Sequence, residues 1–299
     1  MNITKLKQHP KTFTRLFGID PQKFDTLVMK IRPLWLKAES KRLRHPRKIK
    51  KGGGRRYKLT LEETVAMLLL YTRAYVSHMF LSALFDIHDS AICRYFARVR
   101  PLTEAVFDLP TRNVDLSKEE ILKLVVDVTE QRTERRQKGC GYSGKKKAHT
   151  IKTQIVVSGK GDIVHISSSV AGNIHDKKLF DQSGVMLPDT AKGDLGYLGT
   201  NLAIPFKSSK LHPLTQRQKD HNTSSSLKAL QSLNGRHSRK RIIVEHVFAA
   251  LKAYRILTDR FRGSLACYHQ YFSNRVRFVH PRENLILHGI GQLRGCAKI

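Results

Sequence analysis

The sequence predicts an α/β protein in two parts: an all-α region over residues 1–115, then a mixed sheet flanked by helices over 116–299. Three observations predict it. The first third places apolar residues at helical spacing behind a capping signal. Residues 121–170 change to β-branched runs separated by tight turns. An amphipathic helix then returns near residue 242. The length allows one large domain or two ordinary ones, with enough apolar content for a core.

The elements follow in order. Residues 20–28 have helical spacing that continues toward Trp35. Residues 41–58 form a basic run with no acid, broken by Gly52, Gly53 and Gly54. Such a run is a solvated loop or a contact to a nucleic-acid backbone, and the backbone contact is the preferred reading. Thr60 followed three residues later by Glu63 is a capping box, which starts a helix reaching Tyr71. Residues 80–85 and 91–99 are two short helices joined by a turn at 86–90. The second carries Arg94 and Arg98, with Arg100 just beyond, so the pair has the form of a helix-turn-helix. The same pattern would suit a plain bundle in which Ile92, Tyr95, Phe96 and Val99 are core. Pro101 and the stretch 109–113 mark the boundary.

Beyond it, the run 121–126 is a buried strand that ends at Asp127. Residues 150–158 and 162–170 are two more strands, joined by a hairpin turn at Gly159, Lys160 and Gly161. Residues 175–184 form a short helix, and a weak strand at 190–193 leads to Asp194. The stretch 205–241 is polar and basic, with part of it expected to be disordered. Residues 242–254 form the last clear helix.

Lys and Arg total 55 against 24 Asp and Glu, a formal net charge of +31. That excess does not suit a neutral metabolic enzyme. It suits a phosphate polyanion, because each neutralised phosphate releases counterions. There is no apolar run of about 18 residues to cross a membrane. The first ten residues lack the apolar stretch of a signal peptide. Cys93, Cys140, Cys267 and Cys296 are scattered and form no CxxC pair, which points away from a zinc site or a disulfide framework. The expected setting is a reducing cytoplasm.

Three acidic residues stand out. A carboxylate at the end of an apolar strand, as at Asp127, is expensive unless a positive partner such as a divalent cation sits beside it. Taken alone, a cap of the next turn would be the preferred reading. Asp194 lies between Gly193 and Gly196, where the backbone can turn sharply, and alone an ordinary turn residue is the preferred reading. Between 195 and 258 the only acids are Asp220, in a polar stretch, and Glu245, on the last helix. At ~100° per residue Ser238, Arg241 and Lys252 fall within about 40° of Glu245, so they share a polar stripe. Ile243, Val247, Ala250, Leu251 and Tyr254 cluster on the other side. The stripe is either an i,i+4 ion pair between Arg241 and Glu245 or a metal ligand flanked by phosphate-holding cations.

Four segments, Val125 to Gln131, Tyr142 to Lys152, Asp194 to Tyr197 and Arg241 to Glu245, resemble the DDE transposases of bacterial insertion sequences. The nearest likeness is to the insertion-sequence-five family and its Harbinger-like eukaryotic relatives, from about residue 60 to 265. The signature Tyr-x2-Arg-x3-Glu-x6-Lys falls on Arg241, Glu245 and Lys252, with Ser238 where the family has Tyr. The resemblance implies a ribonuclease-H-like catalytic domain behind a helix-turn-helix region. It implies that Asp127, Asp194 and Glu245 are catalytic and hold two Mg²⁺ or Mn²⁺ ions. The expected activity is metal-dependent strand cleavage and strand transfer at the element ends. The alternatives are an inactive or domesticated DNA-binding protein and a nuclease that cuts without joining. Expected DNA contacts are Arg94, Arg98, Lys145, Lys146, Lys147, Arg241 and Lys252. For His149, His175 and Asp176 a structural role is preferred over contact with the site. The partners implied are double-stranded DNA, both element ends and target, and further copies of the chain at the nucleoid.

Overall fold

A computed structural model describes residues 1–42, 57–106, 124–134, 141–204, 213, 215–219 and 238–279. Most of the basic run, the boundary at 109–113, the start of the 121–126 run and most of 205–241 lie outside the described residues.

The N-terminal part is helical: α1 (Ile3–Lys7), α2 (Pro10–Phe17), α3 (Pro21–Arg42), α4 (Leu61–Ala74), α5 (His78–Phe85) and α6 (Asp89–Val106). The capping box at Thr60 forms as the sequence predicts. Its hydroxyl accepts from Glu63 N, and the Glu63 carboxylate accepts from Thr60 N at 2.9 Å. α5 and α6 meet at Asp86, which takes a left-handed conformation at the end of α5. Pro101 does not end α6, contrary to its reading as a boundary; the helix runs to Val106 around it. A proline inside a helix removes one backbone bond, and the buried contacts of Val99 and Thr103 on either side hold the helix together.

The second part is built on β1 (Val125–Arg132), β2 (Gly141–Ser143), β3 (Ala148–Val157), β4 (Ile163–Ile166) and β5 (Val170–Ala171). β1 and β3 pair antiparallel over their full overlap, and β2, β5 and β4 pair with β3. On the other side of β1, the segment through Lys192 bridges to Val125 in parallel, and Ala203 bridges to Lys192 in parallel. Helices α7 (Asp176–Ser183), α8 (Ser238–Lys252) and α9 (Leu265–Val279) complete the part.

Alternation along the strands explains the layers. Val125, Ile151, Ile155 and Val157 point to one face and pack with Val244, Val247, Phe248 and Leu251 of α8. Val126 and Val156 point to the other and pack with Phe180 of α7, Ala191, Tyr197 and Leu202. The result is a mixed α/β arrangement preceded by a helical region.

The first of these cores does not stop at the sheet. It runs on into Phe13, Phe17, Phe24 and the whole of the buried side of α4 and α6. Polar contacts cross the same boundary. Arg262 N donates to Tyr75 Oη and the Arg262 guanidinium to Tyr75 O, both at 2.7 Å. Asn274 Nδ2 donates to Thr103 Oγ1, and Arg73 to Ala253 O. Tyr254 Oη donates to Gly18 O at 3.1 Å. Gly18 ends α2 at φ 78, and a Cβ there would lie 2.7 Å from the Tyr254 hydroxyl.

Gly18→Ala is therefore expected to destabilise the chain by more than about 1 kcal/mol, since a left-handed backbone and a blocked approach coincide. Thermal denaturation reads it as a lowered Tm. A wild-type Tm would mean that α2 is not held against Tyr254.

Candidate functional site

β1 has two different neighbours along one edge. At its start, Lys192 N donates to Leu124 O and Val126 N donates to Lys192 O, at 2.9 and 2.8 Å. At its end, Phe261 N donates to Arg132 O and Glu134 N to Phe261 O. Gln131 Nε2, reaching Ile256 O and Asp259 O, ties that far end down. Among the described residues no strand fills the stretch between, where Val128 lies. The Val128 N–H is instead taken by the Asp127 carboxylate at 2.8 Å. Asp127 is the third residue of an eight-residue strand and not its last, as the sequence suggested. The pairing of residues 128–132 with β3 extends the strand despite their polarity.

Val125 and Lys192 are partners in parallel register. Two residues further along each segment stand Asp127 and Asp194. Asp194 is extended and leads into a 3-10 turn, Leu195–Tyr197, with its Oδ1 accepting from Gly196 N at 2.9 Å. Behind the turn Tyr197 is fully buried; its hydroxyl donates to Gln154 Oε1 and its ring packs edge-on to Phe180. Burial pushes the Tyr197 phenol up, and the charges of Asp127, Asp176 and Asp194 push it further. Asp176 opens α7 and pairs with Lys152 Nζ at 2.8 Å.

Glu245 is exposed on α8. The helix packs through Val244, Val247, Phe248 and Leu251, and Ala250 faces outward, so the buried stripe is rotated slightly from the one the sequence suggested. Glu245 and Lys252 keep a common stripe, since seven residues make nearly two full turns. Lys252 Nζ sits 5.8 Å over the Phe248 ring. The side chain of Arg241 lies outside the described residues. Among the described residues no three His, Cys, Asp or Glu side chains are grouped to hold a metal ion. The fold brings Asp127 and Asp194 to neighbouring positions and leaves Glu245 on the exposed stripe of the helix packed on that face.

Residues 126–279, the stretch that holds both aspartates and Glu245, match the model of the DDE superfamily endonucleases. The chain is 32% identical over 305 residues to a protein of Microchaete diplosiphon named as a probable transposase for insertion sequence element IS702, covering 96% of each chain. The chain belongs to the DDE superfamily of endonucleases. It is also 26% identical over 260 residues to a protein of Streptomyces albus G named as a transposase for insertion sequence element IS112, covering 85% of this chain and 89% of that one. No solved structure matches it. Residues 57–107, which hold α4, α5 and α6, match the helix-turn-helix of DDE superfamily endonucleases.

Within the chain the cations that the sequence singles out lie on several surfaces. Arg94 is exposed on α6. Arg98, one turn on, stacks its guanidinium over Tyr57 at 5.1 Å, which fixes its direction. Lys145, Lys146 and Lys147 are all exposed on the loop between β2 and β3, with Ser143 paired to Ala148 at its base. Lys147 adopts φ 46, which is unusual for a residue with a side chain. Cys93 and Cys267 are free thiols. No described helix is long and apolar enough to cross a membrane. Asp176, for which the sequence favoured a structural role, comes close to Asp194. The use of Phe261 as a second edge partner for β1 escaped the sequence reading, and nothing local signals it, since it joins residues distant in the chain.

Replacing Lys145, Lys146 and Lys147 together by Ala is expected to flatten the dependence of DNA affinity on salt. The slope of log K against log salt should fall by roughly 2–3. Fluorescence anisotropy across a salt series measures it, and an unaltered slope would remove this loop from the DNA surface.

Proposed function

We propose that this chain is the transposase of an insertion sequence, cutting DNA at the element ends and joining the freed ends to a target, with Asp127, Asp194 and Glu245 as its catalytic carboxylates. The observation that supports the reading is the parallel pairing of Val125 with Lys192, two residues before Asp127 and Asp194, next to a stretch of the β1 edge that no described strand covers. The order of strands, with two parallel segments added beside an antiparallel set, supports a ribonuclease-H-like catalytic domain. The family we favour is the insertion-sequence-five group with its Harbinger-like relatives.

The donor set fits a hard divalent cation. All three ligands are carboxylates, which suit Mg²⁺ or Mn²⁺ and leave positions for phosphate oxygens and water. When bound, two such ions would activate the attacking oxygen and stabilise the leaving one. The chain's own contribution is position. The N–H groups of Val128 and Gly196 each fix one oxygen of an aspartate, so little reorganisation is needed. Arg241 and Lys252, sharing the stripe with Glu245, would hold the backbone phosphate of the reacting strand, and Lys145, Lys146 and Lys147 the neighbouring ones. Arg94 and Arg98 would read the element end from the major groove.

In this reading the DNA-binding region extends to about residue 115 and the catalytic one follows. Their common core makes them separate in role but not in folding. Two ends must be handled together, which suits an oligomer assembled on DNA, working in the cytoplasm at the nucleoid. A nuclease that cuts without joining is the alternative, and a strand-transfer assay on DNA bearing the element ends separates the two.

Asp127→Asn, Asp194→Asn and Glu245→Gln are each expected to abolish Mg²⁺-dependent cleavage, by at least about a hundredfold, while DNA affinity is retained. A wild-type cleavage rate in any one removes that residue from the catalytic set. Lys252→Ala is expected to leave affinity nearly unchanged, because a chain of net charge +31 has many other contacts, yet to slow the chemical step. Single-turnover cleavage at saturating protein isolates that step, and a wild-type rate there would return Lys252 to the solvated surface.

A further inference from the structure

Asp176 stands outside the three carboxylates of the proposed centre, but its side chain faces into it. One oxygen, Oδ1, is 2.8 Å from Lys152 Nζ, and the same ammonium donates to Ile174 O at 3.0 Å. Both side chains are largely enclosed, at 14% and 24% exposure, so the pair is held in one place. The other oxygen, Oδ2, lies 2.7 Å from where a Cβ on Gly196 would sit, and Asp194 Oδ1 lies 3.0 Å from the same point. The two carboxylates meet across the missing side chain of Gly196. Gly196 is not among the glycines with positive φ. What requires a glycine there is room, not backbone conformation.

We propose that Asp176 is a positioning residue for Asp194, its charge raising the centre's affinity for a divalent cation; the role presupposes the cation centre proposed above. A structural ion pair tying β3 to α7 would use only Oδ1, and it would need neither the gap at Gly196 nor an oxygen turned toward Asp194. Two carboxylates facing each other at this range repel, and a cation bound by one relieves the repulsion of both. Groups just behind a metal ligand orient it and tune its affinity in this way. Lys152 holds Asp176 back from Asp194 while leaving Oδ2 turned toward the site.

Mn²⁺ binding to the full chain, followed by titration calorimetry, tests the role apart from catalysis. Asp176→Asn is expected to weaken Mn²⁺ binding by roughly 10–100-fold, with Asp176→Glu recovering most of the loss. Gly196→Ala keeps every carboxylate but forces the two apart, and is expected to weaken binding as well. Lys152→Met breaks the same ion pair from the other side. It removes a positive charge and leaves Asp176 in place, so Mn²⁺ affinity should hold or rise. A purely structural pair predicts instead that Asp176→Asn and Lys152→Met weaken binding together, and that result would overturn the proposal. So would wild-type affinity in Asp176→Asn. Asp127→Asn in the same assay distinguishes the two levels: if it binds Mn²⁺ as wild type does, the cation centre itself is wrong. If it loses binding while Asp176→Asn does not, only the role of Asp176 fails.

Discussion

The position of β1 is the constraint on which the rest depends. Its full length is paired to β3, and both of its faces are buried, Val125 under α8 and Val126 under α7. A slip of one residue would exchange these faces and put the polar Asp127 and Thr129 where Val126 and Val128 belong. The register is therefore held from both sides. On the free edge the parallel segment supports only the start of β1, and Phe261 supports only the end. The interval between them, where a sheet would ordinarily continue, is where Asp127 turns its carboxylate onto the backbone of Val128.

The same arrangement explains why a polar residue is tolerated on a buried strand. Asp127 accepts from the N–H of Val128, which points to the edge that β3 does not cover. Asp194 solves the same problem with the N–H of Gly196, at the point where its own segment leaves the sheet. Each aspartate thus has one oxygen fixed by a backbone N–H, which is stiffer than a side chain.

Charge shapes the rest of the molecule. With 55 basic residues against 24 acidic ones, most cations cannot find a carboxylate. Several stack on aromatic rings instead: Arg98 on Tyr57, Arg100 on Tyr271, Arg262 on Tyr75, and both Arg73 and Arg275 on Tyr254. Ring faces attract a cation without neutralising it. Three of these stacks, of Arg73, Arg100 and Arg262, join the helical part to the part that carries the sheet, and the two parts share one continuous core. The net charge that draws DNA is kept while this joint is made.

Much of this was legible along the chain, for a physical reason in each case. Thr60 and Glu63 interact within one turn, so the capping box could be read directly, as could the helical spacing around Glu245 and the hairpin at Gly159 to Gly161. Net charge is a sum over residues and needs no fold, so a polyanionic partner followed from composition. The motif residues Asp127, Asp194 and Glu245 could be picked out singly. Local preference misled where tertiary contacts outweighed it: Pro101 lies inside α6 because buried neighbours hold the helix together around it, and β1 runs five residues past Asp127 because β3 supplies the pairing. Only the folded chain decided that Val125 meets Lys192, that Phe261 closes the far end of the edge, and that Asp176 reaches Asp194 over Gly196. Each of these joins residues tens of positions apart through the geometry of the sheet and its covering helices, and that geometry exists only once both cores have packed.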